Sequence, residues 1–396
     1  MFDAIVFRNS YVHDALIDIG ALAEALIFYG KVKIIGNQGT LKYILKKIPP
    51  AIFLDLIERK MVEFHFLTDN LSTNARNISD TNIIYYLASI RDTKTTYSEH
   101  AYNAFKEASK KSPQAKSMAS KFEKHIQEID HGCFNQSSLL KAWENTETLE
   151  RSVSTILRHL APEYTQTEKL RFKIEYPDLG FAVDTNIDKE LLAKTYKQKI
   201  STQQGIPILT LLSQLQYSYE ASFFSASLDS ELFVDQYEME MQEQTMLGLW
   251  GRGNQTQSEI SEFVDLTLEN SFAIREAVNS GKINFYDVIE VIDSSTEFKK
   301  WIKGVPPEKK LIQHFYAETI KDSKLSRLPG KASKWALFTG TSVVLGDLLT
   351  GGVATVASAT MGAIDTFLAD KIIGGWKPHQ FIEGRLKKTF QKDDSK

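Results

Sequence analysis

Between Met1 and about Asn70 the chain alternates short strand-like apolar runs with helix-length ones, each closed by glycine, proline or a charged turn. Phe2–Phe7 (FDAIVF) reads as a strand. Ala15–Tyr29 (ALIDIGALAEALIFY) reads as a helix, closed by Gly30 in the left-handed position that follows a helix. Val32–Ile35 (VKII) is a short buried strand, and Gly36-Asn37-Gln38-Gly39-Thr40 turns the chain into the helix Leu41–Ile48. Pro49-Pro50 breaks that helix, Ala51–Lys60 makes another, and Met61–Leu67 (MVEFHFL) ends as a strand. The order β-α-β-α-α-β is that of a small α/β unit. Its spacing puts Ile19, Leu22, Leu26, Phe28, Ile34, Leu45, Phe53, Leu56 and Phe64 on the inner faces of their elements.

The remainder reads as helical. Residues 71–165 are polar and lysine-rich and suggest a connector of exposed helices and loops. Leu170–Tyr176 (LRFKIEY) makes one strand, ended by Pro177. Helical patterns follow at Pro207–Leu228, Ser261–Gly281 and Tyr286–Gly304, with Gly281 where a helix-ending glycine belongs. The expected fold class is mainly α: a small α/β domain at 1–70, a polar helical connector at 71–165, and a helical domain at 166–330. A glycine-rich apolar helical hairpin and basic tail at 331–396 pack on that helical domain.

At 42% hydrophobic and 24% charged residues the chain falls among folded globular proteins, and 396 residues exceed one ordinary core. A net charge of -3 offers no global attraction to nucleic acid or anionic membrane. The single cysteine, Cys133, fits a reducing compartment, and Asp3 and Arg8 interrupt the apolar stretch a signal peptide needs. A cytoplasmic location is expected, peripheral to the inner face of the membrane if the C-terminal hairpin engages lipid.

Four features have the residue types for chemistry. Gly36, Gly39 and Thr40 lie between a strand and a helix, where backbone amides can cradle a phosphate. No Walker lysine and no third glycine follows, and a tight turn with Thr40 as N-cap accounts for the pattern without a ligand. The same region has the helix–turn–helix–strand order of a winged-helix DNA reader. Its second helix, however, carries a balanced Asp55, Glu58, Arg59 and Lys60, while Lys42, Lys46 and Lys47 sit on the first. Glu128 and His131, in HIQEIDHGC, would share a helix face as di-iron ligands do, but no second E-x-x-H occurs and Gly132 ends the helix at His131. Glu231, Asp235 and Glu238 follow i, i+4, i+7, as cation ligands or an acid–base pair would. Leu228, Leu232, Tyr237 and Met241 interleave with them, as on an amphipathic helix with a charged outer face. No cofactor and no nucleic acid are implied.

The segment 335–376 is rich in Gly, Ala, Ser and Thr and nearly empty of charge. Gly351-Gly352 is a natural break between two arms, and Gly346 and Gly362 are among the small residues that let helix backbones approach. Basic residues on both sides obey the positive-inside rule for a hairpin inserted from the cytoplasm. Asp347 and Asp365 would be costly in lipid, so a buried hairpin in a soluble domain, with Trp376 among its packing residues, is the preferred reading. The runs SFAIREAVNSG, FKKWIKG, LPGKASKWALFTG and IDTFLADKIIGGWKPHQFIEG resemble the C-terminal part of a family of uncharacterised bacterial proteins. Asp365, Phe367, Leu368, Gly375, Trp376 and Pro378 carry the resemblance. It implies a bacterial or mobile-element origin and transfers no activity.

The expected role is a non-enzymatic interaction or regulatory protein that binds a protein partner or itself. Two alternatives stand beside it: a membrane-acting effector of toxin or phage-defence type using the 335–376 hairpin, and an enzyme with a dispersed site.

Overall fold

A computed structural model of the chain describes residues 3–8, 17–67, 69–78, 83–90, 96–109, 112–166, 168–176, 180–196, 206–234, 238, 240–242, 244–245, 265–268, 274–295, 333–338 and 367. The N-terminal order is the expected one: β1 (Ala4–Arg8), α1 (Ile19–Phe28), β2 (Lys31–Gly36), α2 (Gln38–Lys47), α3 (Pro50–Glu58) and β3 (Val62–Leu67). All nine of the residues placed on inner faces are buried in one hydrophobic cluster. Gly30 is not left-handed; the helix ends on extended Tyr29 and β2 starts two residues later. Gly281 does take a left-handed φ of 73°.

The expectation of a mainly α chain is overturned. Strand β6 (Gln127–Ile129) joins β3, and β9 (Glu231–Leu232) joins β1, giving a five-stranded sheet of order β6-β3-β2-β1-β9. Every pairing in it is parallel, with Phe7 opposite Ile34, Ile34 opposite Phe64 and Val6 opposite Leu232. The two added strands have two and three residues, too few for any periodicity to show, and β6 is a polar edge. The residues between 71 and 165 also supply an antiparallel hairpin, β4 (Asn70–Asn77) and β5 (Ile83–Ile90), before helices α4 (Tyr97–Ala108) and α5 (Ser112–Glu123).

Helices cover both faces of the sheet, which is what a parallel sheet with apolar residues on both sides demands. Ile5, Phe7, Val32, Ile34, Phe64 and Phe66 pack in the first core with α1 to α5. Val6, Ile35 and Leu67 point the other way, into a second core. That core is built with α6 (Gln136–Ala142), α7 (Thr146–Leu160), the hairpin β7 (Phe172–Glu175) and β8 (Ala182–Thr185), α8 (Lys189–Thr195) and α9 (Ile206–Ser227). Phe367, from the C-terminal run, packs its ring 5.0 Å from Phe223 in this core.

The first core is closed by residues far along the chain. After β10 (Asp265–Leu268), helices α10 (Ile274–Asn279) and α11 (Phe285–Ser294) return to lie on α1. Every residue of α1 is therefore buried, which explains a helix with almost no polar face. Gly20 makes this approach achievable, since a Cβ there would sit 2.1 Å from the Arg275 carbonyl oxygen. β10 lies inside the run 261–281 that reads as a helix, and it pairs antiparallel with β11 (Ser333–Phe338). The start of the presumed C-terminal helical hairpin is thus a strand. Gly346, Gly351, Gly352, Gly362, Asp365 and Trp376 lie outside the described residues. Among the described residues no helix is long and apolar enough to cross a membrane.

Candidate functional site

Most of the sequence candidates resolve into structure. Asn37, not Thr40, is the N-cap of α2; its side chain accepts from the Thr40 amide at 3.2 Å, and Thr40 occupies the third helical position of a capping box. Gly36 is required because Thr40 lies across it: an added Cβ would meet the Thr40 side chain at 2.5 Å. Beside Gly39 a Cβ would meet only the Asn37 side chain, at 3.2 Å. The helix–turn–helix pattern is α2 and α3, but the strand after it is an interior strand of the sheet rather than a wing. Several of its charges are used internally: Lys42 pairs with Glu107 at 2.8 Å, and Arg59 bridges Asp55 and Asp293.

Glu128 and His131 do not share a helix face, because Gln127–Ile129 is strand. Glu128 is exposed opposite Phe66, whereas His131 follows the strand into the interior. Among the described residues no group of three or more His, Cys, Asp or Glu is disposed to hold a metal ion. The acidic run breaks up as well: Glu231 lies in β9 and accepts from the Tyr29 hydroxyl at 2.8 Å, Glu240 is buried and meets His159 at 3.0 Å, and Asp235 lies outside the described residues.

What the fold does assemble, at the carboxyl ends of the strands, is a buried chain of charges. Arg8, the last residue of β1, donates to Glu220 of α9 at 2.7 Å, both side chains being 3% exposed. His131 donates from Nε2 to the same carboxylate and from Nδ1 to Asp69, just past β3, at 2.8 Å. The Arg8 guanidinium also lies over the rings of Tyr217 and Phe224. Behind Glu220, Gln216 donates to the Leu71 carbonyl at 3.0 Å and accepts from the Thr73 hydroxyl at 2.6 Å. Burial alone would favour neutral His131, but its bonds to Glu220 and Asp69 and their charges outweigh this and raise its pKa. Burial likewise opposes the Glu220 charge, and Arg8 together with His131 reverses that and lowers the carboxyl pKa.

An imidazolium with both N–H groups donating has no lone pair with which to take a proton from a substrate. In this arrangement His131 is a clamp joining β1, β3 and β6 to α9, not a general base. Arg8, Asp69 and Glu220 do not stand out by spacing. The available signal is Glu220, the only charged residue in the 22 of α9, since a lone charge in an apolar helix needs a buried partner.

On the other side of Arg8 lies a crevice of about 720 Å³. It opens where the strand order reverses, because the chain lays β2, β3 and β6 on one side of β1 and then returns to place β9 on the other. Phe7 and Phe233, stacked with ring centroids 4.4 Å apart, contribute to its lining. Tyr43 and Lys47 of α2 line one part, and the α10–α11 turn with Tyr286 another. Asp18 is committed: it caps α1, pairs with Arg275 at 2.6 Å and accepts from Asn279 at 2.8 Å. Burial and then the Asp18 charge raise the pKa of Tyr43, keeping its hydroxyl protonated.

No protein-family model, curated protein or solved structure matches this chain.

Proposed function

We propose that this chain is a small-molecule-binding regulatory protein whose ligand occupies the crevice beside the carboxyl end of β1. The observation that carries the reading is the position of that crevice: parallel sheets present ligands outside their carboxyl ends, at the point where strand order reverses. Its 720 Å³ falls in the range of about 300–1,000 Å³ typical of ligand pockets, and it combines aromatic surface with a few polar groups. The buried Arg8–Glu220–His131–Asp69 chain behind it keeps the strand ends in place, which preorganises the crevice. A regulatory rather than catalytic role fits the internal commitments of Asp18, Arg8 and His131, each spent on a partner within the chain. It also retains the interaction role suggested by the sequence.

The test is thermal unfolding of wild type and Ser280→Trp with a panel of nucleosides, amino acids and aromatic acids. Ser280 is exposed and lines the crevice, so tryptophan there fills it from the wall. Compounds that raise the wild-type Tm should leave the variant unmoved; a ligand at a hundred times its Kd adds about 2.7 kcal/mol. Equal shifts in both proteins would place binding elsewhere and end this reading.

A further inference from the structure

We propose that the chain has a second binding site, at the opposite end of the sheet from the crevice, for a compact, multiply charged anion of the phosphate type. The site is a cavity of about 350 Å³ at the amino ends of β2, β3 and β6. Three separate stretches of chain bring basic side chains to its lining. Lys31 opens β2, Lys60 lies in the turn from α3 to β3, and Lys124 and His125 lie in the turn from α5 to β6. Glu63 also lines the cavity and is bonded by Lys31 at 2.6 Å, while Gln127 adds an amide. Lysines commonly follow helices because a cation complements the partial negative charge of a helix C-terminus. Here Arg59 caps α3 and Lys121 stands in the last turn of α5, so both termini have a basic residue besides those that line the cavity.

The backbone of Lys60 is an independent observation. Its φ of 59° is left-handed, and it is one of two non-glycine residues with positive φ among the described residues. The Lys60 N–H bonds the Ile57 carbonyl and the Met61 N–H bonds that of Leu56, the helix ending in which glycine is the usual residue at this position. A lysine there accepts strain that glycine would avoid, and it places an ammonium at the cavity. The positive field reaches inward as well: burial lowers the pKa values of Lys33 and His65, and the Lys31 charge adds to the lowering of both. Like charges gathered around one cavity repel, and an anion that meets several of them at once relieves the repulsion. A lysine ammonium is a point-charge partner for phosphate. Side chains from three turns can close on a compact dianion, whereas a monocarboxylate would match only one of them.

The experiment is isothermal titration calorimetry of the full chain with pyrophosphate at physiological salt. Saturable one-to-one binding is expected. Lys60→Gly and Lys124→Gln should each weaken it by about fivefold, the upper end of what one exposed charge pair contributes. Because glycine takes a left-handed φ without strain, Lys60→Gly should keep or raise the Tm of the protein without pyrophosphate, so its weaker binding cannot come from unfolding. Lys116→Gln, exposed in the first half of α5 and outside the lining, should bind as wild type does. Adenosine diphosphate binding more tightly than pyrophosphate would assign the cavity to a phosphorylated small molecule, and equal or weaker binding to the free anion; both uphold the site. No saturable binding of pyrophosphate, unchanged affinity in both Lys60→Gly and Lys124→Gln, or equal weakening by Lys116→Gln would overturn it.

Discussion

The sheet face covered by α9 holds two buried histidines, and their surroundings drive them to opposite charge states. His131, beyond the carboxyl end of β6, sits between two carboxylates with both nitrogens bonded. His65, within β3, has Glu63 at 3.6 Å, beyond hydrogen-bond reach, and that carboxylate is already bound to Lys31 at 2.6 Å. Burial, against the pull of Glu63 and aided by Lys33, lowers the His65 pKa to about 4, whereas that of His131 is raised. Both side chains are almost fully buried. The difference teaches that depth alone does not set a charge state: carboxylates within hydrogen-bond reach do. At the carboxyl end two carboxylates bond the imidazole, one of them shared with Arg8, whereas Glu63 stands 3.6 Å from His65 and is bonded to Lys31 instead.

The largest test removes the acceptor. Glu220→Ala leaves Arg8 and His131 buried without their shared carboxylate and should cost about 3–5 kcal/mol, measured by urea denaturation at neutral pH. A loss below about 1 kcal/mol would mean that the carboxyl-end cluster is no more than a surface-type pair, and the comparison would break.

Next comes His131→Gln, which removes a charged donor from two carboxylates and should cost about 2–3 kcal/mol. The pH dependence is the sharper readout. A raised folded pKa means that the His131 contribution is complete below the unfolded value near 6.5 and is lost as pH rises through the folded pKa. Wild type should therefore lose stability above about pH 6.5, and the slope should be shallower in the variant. Parallel slopes would show that His131 carries no linked proton.

His65→Gln should cost less at neutral pH, about 1 kcal/mol, but should act on the acid side. With a folded pKa of about 4, the unfolded chain takes up a proton between pH 6.5 and 4 that the folded chain refuses, so stability falls as pH falls through that window. The variant should flatten this limb, and an unaltered limb would locate the acid sensitivity elsewhere. The smallest effect is expected from Lys33→Met. Lys33 donates to the Leu228 carbonyl at 2.8 Å and its charge depresses the His65 pKa. Its removal should shift the His65 ring proton titration upward by NMR with little change in stability, and an unmoved titration would show that burial alone, without Lys33, governs the site.

Much of the N-terminal half of the first core was legible because its determinants are local. Strand-length and helix-length apolar runs, Pro49-Pro50 and the inward set from Ile19 to Phe64 are all readable within a few residues of each other. The crevice was not, because Phe7, Tyr43, Phe233 and Tyr286 come from four distant stretches of chain. The polar helices 97–108 and 112–123 illustrate a middle case. Their wide apolar spacing suggested exposure, yet Ala101, Ala104, Phe105, Ala115, Ala119 and Phe122 are buried, since small residues let helices pack closely with few large side chains.

By itself the sequence determined the order of the first six elements, their inner faces and the helical character of α9, all consequences of hydrophobic periodicity and turn residues. Only the tertiary structure decided that the chain is a parallel-sheet protein rather than a mainly helical one. Two- and three-residue strands such as β9 and β6 have no pattern of their own; they exist because the backbone of β1 or β3 offers hydrogen bonds at that place. Tertiary structure also decided the meaning of the charges. Arg8, Asp69, His131 and Glu220 are ordinary polar residues in four separate stretches of sequence, and become one network only where folding removes water and leaves each as the nearest partner of another.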